Sequence, residues 1–273
     1  MRRLLARGQV LVEGRQQKKG VHLDAGQQVL VAIASPTEQP IAQKNLRLEV
    51  IAVRPHLIAV NKPAGQHCHP LVPGEMDTLA NALIAHFPEC AQASPALREG
   101  GFVHRLDSST SGVIIAARSR QSYGHLRGLF SSGKVRKQYI ALVKGNVEGP
   151  GEIDHPVQTA PGDSTRMRTI PPDQPEERGR PAQTEYWPLE RLGEFTLVRA
   201  RCHTGERHQV RVHLAHVGHP LVGDELYNGP LLPGLNGAFL HANALEIDNE
   251  TFEAPFPKDR RKLLKKLGWS KIV

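Results

Sequence analysis

The stretch that decides the fold is His104-Arg105-Leu106-Asp107-Ser108-Ser109-Thr110-Ser111-Gly112, which continues into Val113-Ile114-Ile115-Ala116-Ala117. Small and β-branched apolar residues in a short run after a glycine predict a buried strand. The polar segment before it is then a turn at the mouth of that strand, where a scaffold can present a reactive side chain. Asp107 is the carboxylate of this turn. It could act in catalysis, or it could only pair with Arg105 or cap the turn.

The charge of the chain suggests a polyanionic partner. Its 273 residues allow one large domain or a main domain with a small appendage, and 39% hydrophobic residues suffice for a core. The 35 Lys and Arg residues exceed the 27 Asp and Glu residues, so the net charge is +8. A basic balance of this size favours nucleic acid as the partner, although basic charge can also serve solubility alone.

Cysteine use argues against disulfide and zinc scaffolds. Cys68, Cys90 and Cys202 are odd in number and show no CxxC spacing. His67-Cys68-His69 does not predict a metal site, because adjacent residues of an extended chain point to opposite sides. The chain has no apolar stretch of membrane-spanning length, and its basic start is too poor in apolar residues for a signal peptide. We therefore expect a cytoplasmic protein that has no metal and no membrane partner.

Composition divides the chain into four segments. Residues 1–34 form a small basic unit with two strand-like runs, and the polar residues 35–44, which include two prolines, form a linker. Residues 45–258 form the main domain. Residues 259–273 form a basic tail with a short helix, whose Lys and Arg side chains would face water or phosphate while its leucines dock. Those leucines are Leu263, Leu264 and Leu267.

The main domain mixes helical and strand patterns without strict alternation, which favours an α+β fold over a doubly wound α/β fold. Apolar residues at helical spacing predict a helix over residues 78–87, with Thr78 as its N-cap. Residues 161–183 carry five prolines, four of them among charged residues in the second half, and predict a mobile insertion or a long loop.

Two shorter motifs also follow or begin strands. Val60-Asn61-Lys62-Pro63-Ala64-Gly65 predicts a strand that enters a constrained turn, where Lys62 could meet phosphate or stay solvated. Lys137-Gln138-Tyr139 begins a strand. Tyr139 could be a core residue with a solvated hydroxyl, or a platform on which a base stacks.

The densest polar block lies between Gly205 and Asp224 and predicts a helix from Glu206 to Val217. On such a helix Arg207 and Arg211 project together, one turn apart. They point away from an apolar stripe made of Val210, Leu214 and Val217. Two neighbouring arginines repel unless an anion lies between them, either a phosphate or a carboxylate such as Asp107. Two solvated arginines are the alternative.

Four motifs, in this order, resemble those of the RluA-type RNA pseudouridine synthase family over roughly residues 45 to 255. They are Asn61-Lys62-Pro63-Ala64-Gly65 with His69-Pro70; His104-Arg105-Leu106-Asp107 with Thr110-Ser111-Gly112; Lys137-Gln138-Tyr139; and His208-Gln209-Val210-Arg211 with His213-Leu214, Gly218, Pro220 and Gly223-Asp224. The resemblance implies an α+β domain whose central, largely antiparallel mixed sheet has flanking helices and carries an active-site cleft. It implies isomerisation of uridine to pseudouridine in structured RNA, ribosomal RNA first and transfer RNA next. No cofactor is needed, and we expect a monomer.

The resemblance also implies roles for single residues. Asp107 resembles the family's essential aspartate, Arg211 the arginine that pairs with it, and Tyr139 the residue that stacks on the flipped uracil. Arg105 resembles the residue that enters the RNA stack where the target base leaves. The other predicted substrate-binding residues are His104, Lys62, Arg207 and His208.

Residues 1–34 resemble the back half of a small RNA-binding module shared with a ribosomal small-subunit protein, because the chain begins at the position of that module's second helix. This implies a small α/β appendage. Its candidate RNA contacts are Arg2, Arg3, Arg7, Lys18 and Lys19.

Pseudouridine formation breaks the bond from ribose to the base nitrogen, turns the uracil and rejoins it through carbon 5. One carboxylate must stay ionised in a closed pocket, either to attack the anomeric carbon or to remove the ribose 2′ proton, and both routes stay open. Burial disfavours a charged Asp107, and a nearby Arg211 would favour it.

Two rival functions remain at this point. A non-catalytic RNA-binding protein or ribosome-assembly factor fits the charge, and a turnover assay would separate it. A glycosidic-bond hydrolase needs a carboxylate pair. Asp224 is the candidate second carboxylate, and release of free uracil would support that rival.

Overall fold

The computed structural model describes residues 10–16, 20–31, 39–170 and 178–269. The chain divides into two compact units, residues 1–38 and residues 39–273. The described part of the first unit is a three-stranded antiparallel sheet in the order β2-β1-β3, made of β1 (Val10–Val12), β2 (Arg15–Gln16) and β3 (Val29–Val31). The five cations predicted to bind RNA here, Arg2, Arg3, Arg7, Lys18 and Lys19, lie outside the described residues.

A nine-stranded mixed sheet organises the second unit, in the order β4-β5-β6-β13-β7-β12-β11-β8 with β14 beside β13. Among its described strand pairs only β6 and β13 run parallel, so the predicted largely antiparallel sheet is confirmed. A separate hairpin joins β9 (Val157–Ala160) to β10 (Asp163–Thr169). The nine strands are β4 (Glu49–Val53), β5 (Leu57–Lys62), β6 (Ser111–Ala117), β7 (Arg136–Lys144), β8 (Gly151–Asp154), β11 (Gln183–Leu192), β12 (Phe195–Cys202), β13 (Leu240–Ile247) and β14 (Glu250–Glu253).

Four α-helices lie in the described part of this unit: α1 (Leu79–His86), α2 (Arg120–Ser131), α3 (Gln209–His216) and α4 (Lys258–Lys266). The predicted helix after Thr78 is confirmed, and the Asn81 side chain accepts a hydrogen bond from the Thr78 N–H at 3.0 Å. Helix α2 begins after Ser119, whose hydroxyl accepts from the Ser122 N–H at 3.1 Å. None of the helices in the described ranges has the length and apolarity needed to cross a bilayer.

Strand β6 is the centre of the core, as its sequence predicts. All seven of its residues are buried. Val113, Ile115 and Ala117 enter one hydrophobic cluster and Ile114 and Ala116 enter another, so the strand is covered on both faces. The turn that carries Asp107 is therefore attached to one of the most firmly packed parts of the sheet.

Gly112 allows β6 and β13 to approach closely. Its φ is 124°, and a Cβ at this position would collide with the Ala242 carbonyl oxygen of β13. This explains why a glycine separates the polar turn from the apolar strand.

The loop predicted over residues 161–183 is wrong for its first part. Strand β10 occupies Asp163–Thr169 and pairs with β9, with Met167 opposite Thr159. Met167 and Thr169 are buried while Arg168 between them is only partly so, which is a strand alternation that the nearby prolines obscured. The segment 171–177 lies outside the described residues.

The C-terminal tail contributes to the core through α4. Leu264 is fully buried, and Leu263 and Leu267 pack against the same cluster, as expected. The expectation that the cations of this helix face water or phosphate is wrong for Arg260, which is only 1% exposed. Its guanidinium donates to backbone carbonyls inside the protein, so it does not reach solvent.

Candidate active site

The turn before β6 places the Asp107 carboxylate at the mouth of the strand. The Thr110 N–H donates to the Asp107 carbonyl at 3.0 Å and closes the turn. The Asp107 side chain remains 24% exposed. Its Oδ2 accepts a hydrogen bond from Arg211 Nη1 at 2.9 Å, and its Oδ1 lies 3.9 Å from His208 Nε2. The carboxylate is therefore oriented by its partners and still open to a substrate.

Arg211 connects two carboxylates. Its Nε and Nη2 donate to the two oxygens of Asp224 at 2.7 and 2.8 Å, while Nη1 reaches Asp107. Its guanidinium also lies 5.2 Å from the centre of the Tyr227 ring. Burial works to lower the pKa of Arg211, but its hydrogen bonds to Asp224 and the charges of Asp224 and Asp107 outweigh burial and raise it. Asp224 thus fixes the arginine that presents a charge to Asp107.

The predicted helix start at Glu206 is wrong, because α3 begins at Gln209. The Gln209 side chain accepts from the Glu206 N–H at 3.1 Å, and His208 adopts a left-handed φ of 55°. Arg207 therefore precedes the helix and does not share a face with Arg211. Its Nη2 donates to the Ser164 carbonyl of β10 at 2.9 Å. The anions that Arg211 requires are Asp107 and Asp224.

His208 approaches Asp107 from the same segment. Its Nδ1 lies 3.0 Å from the Tyr227 hydroxyl, which accepts the Met167 N–H at 2.9 Å. Since the hydroxyl accepts from Met167, it can donate its own proton to His208 Nδ1, in which case the ring proton lies on Nε2, on the Asp107 side. Burial lowers the pKa of His208, although the charge of Asp107 opposes this shift. At 3.9 Å, His208 Nε2 lies beyond hydrogen-bond distance of the carboxylate.

A cavity of about 60 Å³ lies beside the carboxylate. Asp107 and Arg211 form its polar wall, and its apolar wall consists of Leu106, Tyr139, Val210 and Leu240. Tyr139 packs against two hydrophobic clusters, and burial raises the pKa of its hydroxyl, so the ring stays neutral. The exposed Arg105 lines the same cavity and the clefts around it. The structure therefore brings Asp107, Tyr139, Arg211, His208 and Arg105 together.

Lys62 does not contact substrate, which corrects the prediction that it meets phosphate or stays solvated. It is fully buried, and its Nζ donates to the carbonyls of Pro63, Gln66 and Ser108 at 2.9, 2.7 and 3.0 Å. Burial removes water from the Lys62 ammonium and lowers its pKa to about 8. The backbone carbonyls that bind the ammonium carry no net charge, so they do not offset this loss of hydration. A lysine after a strand pattern gave no sign that its acceptors would be backbone carbonyls.

His104 is held by the fold through its ring. Its Nε2 accepts the Ile115 N–H at 3.0 Å, and the ring stacks on Phe130 with centroids 4.5 Å apart. Burial lowers its pKa to about 3, so the ring is neutral. Its Nε2 is thus occupied by the backbone, but the residue lines the large cleft beside Arg105, so its role in substrate binding stays a prediction.

The sequence analysis predicted no role in the uridine chemistry for two residues of this site, Asp224 and Tyr227. Asp224 follows a glycine in a loop and was the candidate second carboxylate of a hydrolase. Its side chain is 2% exposed and both oxygens bind Arg211, so it is not free to act as a second acid or base. Tyr227 had no local signal at all, because its side-chain partners, among them Met167 and His208, come from other segments of the chain.

Known proteins resemble this chain in sequence and in structure. Residues 56–216 match the RNA pseudouridylate synthase family. A protein of Chloroflexus aurantiacus named "Uncharacterized RNA pseudouridine synthase" is 35% identical over 98% of this chain and 84% of its own length. The "Ribosomal large subunit pseudouridine synthase D" of Xanthomonas campestris pv. campestris is 33% identical over 95% of this chain and 81% of its own length.

Among solved structures, human RNA Pseudouridylate Synthase Domain Containing 1 superposes with a TM-score of 0.59 at 25% identity, covering 82% of this chain and 96% of its own. The match of the family to more than half of the chain agrees with the geometry around Asp107. This chain belongs to the RNA pseudouridylate synthase family and is an isomerase that acts on RNA.

Proposed function

We propose that the protein isomerises uridine in ribosomal RNA and that Asp107 is its reacting carboxylate. The observation that carries the roles of the residues is the contact of 2.9 Å between Arg211 and Asp107, inside a cavity that also contains Tyr139. The choice of ribosomal RNA is supported by the similarity to the Xanthomonas relative, whose name specifies the large ribosomal subunit. We also propose that the protein works as a monomer in the cytoplasm. The reaction involves no net oxidation or reduction, so it does not require a redox cofactor.

The reaction breaks the bond between ribose C1′ and uracil N1 and forms a bond between C1′ and C5. Carbon 5 loses a proton and N1 gains one, so atoms and electrons balance without an oxidant or reductant. Asp107 either attacks C1′ or removes the 2′ proton. In both routes Arg211 donates to the carboxylate and holds it in place, while Asp224 prevents the arginine from turning away.

The uracil stacks on Tyr139 after it leaves the RNA stack. Extrusion costs a few kcal/mol, and stacking on an aromatic ring returns about 1–3 kcal/mol. A cavity of about 60 Å³ holds little more than water, so the base widens it on entry. Arg105 lies exposed at its edge and fills the place that the base vacates. Leu106, Val210 and Leu240 keep bulk water from the freed uracil.

The RNA strand follows two clefts that meet at Arg105. One has a volume of about 490 Å³ and the other about 610 Å³, and both are also lined by Arg180 and Glu206. The first carries Arg127 and the second carries Arg178 and Arg207, so phosphates meet cations on either side of the target. This arrangement predicts affinity that falls steeply with salt.

The test maps pseudouridine by carbodiimide-based sequencing of total RNA from cells with and without the gene, restored with wild type or with Asp107→Asn. We expect a position in ribosomal RNA to lose its mark and to regain it only with wild type. With purified proteins, Asp107→Asn should lower the single-turnover rate by about 10²–10⁴-fold and keep RNA affinity. Asp154→Asn, an exposed carboxylate on β8, is the matched control and should react normally.

Three outcomes contradict the proposal in different ways. A mark lost only from transfer RNA would overturn the choice of ribosomal RNA. Normal turnover by Asp107→Asn would remove this residue from the chemistry. Complementation of a growth defect by Asp107→Asn, with no mark changed anywhere, would instead support the ribosome-assembly factor.

A further inference from the structure

The backbone of the turn after Asp107 is held from two opposite sides. The Ser108 carbonyl accepts from Nζ of Lys62, the last residue of β5, at 3.0 Å and from the N–H of Gly65, in the turn that follows, at 2.7 Å. The next carbonyl, that of Ser109, accepts from Arg260 Nη2 at 2.8 Å. Two buried cations from distant parts of the chain therefore bind consecutive carbonyls directly after the reacting carboxylate.

Arg260 reaches the turn from the first turn of α4. Its Nη2 also donates to the Ala238 carbonyl at 3.1 Å, and its Nη1 donates to the Leu240 carbonyl. The guanidinium lies 5.3 Å from the centre of the Phe239 ring. It thus ties the Asp107 turn to the start of β13, the strand that runs parallel to β6.

Docking of the helix does not explain this arginine. A buried cation whose hydrogen bonds go to carbonyls is costly, and burial lowers the pKa of Arg260 to about 10. An apolar side chain anchors a helix at less cost, as Leu264 does one turn later. What an apolar side chain cannot supply is a set of donors to three carbonyls that converge from the turn and from β13.

We propose that Arg260 is a positioning residue that sets the place of the Asp107 carboxylate through the carbonyl of Ser109. The inference rests on the proposed role of Asp107. Without Arg260 the turn keeps its contacts with Lys62 and Gly65 but loses its only described cation from the side of α4. The carboxylate then samples positions from which it reacts poorly, whereas the RNA-binding clefts are unchanged.

The experiment compares four variants of the full chain: Arg260→Met, Arg260→Lys, Arg261→Met and Leu264→Ala. Single-turnover rate at saturating RNA, RNA affinity and Tm are measured well below the lowest Tm. We expect Arg260→Met to lower the rate by about tenfold with RNA affinity unchanged, because a small displacement of a reacting group has a large kinetic effect. Arg260→Lys keeps a donor and should recover part of the rate.

Arg261→Met is the matched control, because this neighbouring arginine is exposed. It should keep the wild-type rate. Leu264→Ala removes a buried side chain of the same helix and should lower Tm at least as much as Arg260→Met while the rate stays normal. This separates positioning from loss of stability.

A wild-type rate for folded Arg260→Met overturns the inference, and so does an equal loss of rate in Leu264→Ala. If Arg260→Met does not fold, a wild-type rate for Arg260→Lys together with an unchanged pH profile overturns it. Failure of the proposed function has a different signature, because it requires normal turnover by Asp107→Asn.

Discussion

Two regions approach Asp107, and each brings a buried cation that does different work. Residues 208–216, which include α3, bring Arg211, whose acceptors are the carboxylates of Asp107 and Asp224. Residues 62–68, which begin at the last residue of β5, bring Lys62, whose acceptors are three backbone carbonyls. One region acts on the reacting group itself, and the other acts on the turn that carries it.

The pKa shifts of the two cations differ in sign because their hydrogen-bond acceptors differ in charge. Both lose water on burial, which by itself lowers the pKa. For Arg211 the charges and hydrogen bonds of two carboxylates more than offset the loss of water, so its pKa rises. The acceptors of Lys62 are uncharged carbonyls, which do not offset the loss, so its pKa falls. A buried cation near an active-site carboxylate is therefore informative only once its acceptors are known.

The largest effect should come from Arg211, the cation that binds the carboxylates. Arg211→Met leaves Asp107 and Asp224 without their shared partner, and we expect a loss of about 3–5 kcal/mol of unfolding free energy. The rate should fall by roughly 10²-fold, because a preorganised donor is lost. Denaturant unfolding and single-turnover kinetics measure both quantities.

Arg207→Met is the matched control for this prediction. Because Arg207 lies before α3 and faces an RNA cleft, its loss should raise KM and reduce the salt dependence of binding by about one unit of slope, with kcat kept. Equal losses of kcat in both variants would show that the two arginines act together after all, against the helix start at Gln209.

An intermediate effect should come from Lys62, the cation that binds backbone carbonyls, and it should depend on pH. Burial lowers the pKa of Lys62 to about 8, and a neutral amine has only two hydrogens for three carbonyls. We expect kcat to fall as pH rises through about 8. Lys62→Met should be about tenfold slower at neutral pH and should lack this fall.

Linkage separates this pH effect from unfolding. The folded protein releases the Lys62 proton more readily than the unfolded chain does, whose lysine keeps its ordinary pKa of 10.5. Between those two pKa values the unfolded chain binds more protons than the folded protein, so the contribution of Lys62 to the free energy of unfolding increases as pH rises. A flat rate profile up to pH 9.5, or the same alkaline fall in Lys62→Met, would contradict the role of the ammonium.

The smallest effect should come from the hydrogen bonds of the Tyr227 hydroxyl, which lie behind His208 and not on Asp107 itself. Tyr227→Phe removes the hydroxyl that joins His208 to the Met167 N–H, and we expect a loss of about 0.5–1.5 kcal/mol of stability. The rate should fall only a few fold, because Arg211 still holds Asp107. In Tyr123→Phe, which breaks a contact with Glu99 at the wall of the 490 Å³ cleft and not at Asp107, stability should fall similarly and the single-turnover rate at saturating RNA should not change. A normal rate in Tyr227→Phe would show that the orientation of His208 is irrelevant to turnover.

The features that could be predicted from sequence are those with a local signal. Strand β6, the cap at Thr78 and the position of Asp107 in a turn follow from hydrophobic patterns and turn residues within a few positions. The start of α3 could not be predicted, because the Gln209 side chain closes the preceding segment on itself. Strand β10 was missed, because the prolines that follow it dominate the composition of the same window.

The sequence by itself determined the family, the class of reaction and the aspartate, because these depend on residue types at short spacings. Only the tertiary structure decided which acceptor each buried cation meets. Lys62, Arg211 and Arg260 reach partners that lie 46, 104 and 151 residues away in the chain. Periodicity reports which side of an element is buried, but a hydrogen bond needs a donor and an acceptor within about 3 Å, and only the packed fold brings them that close.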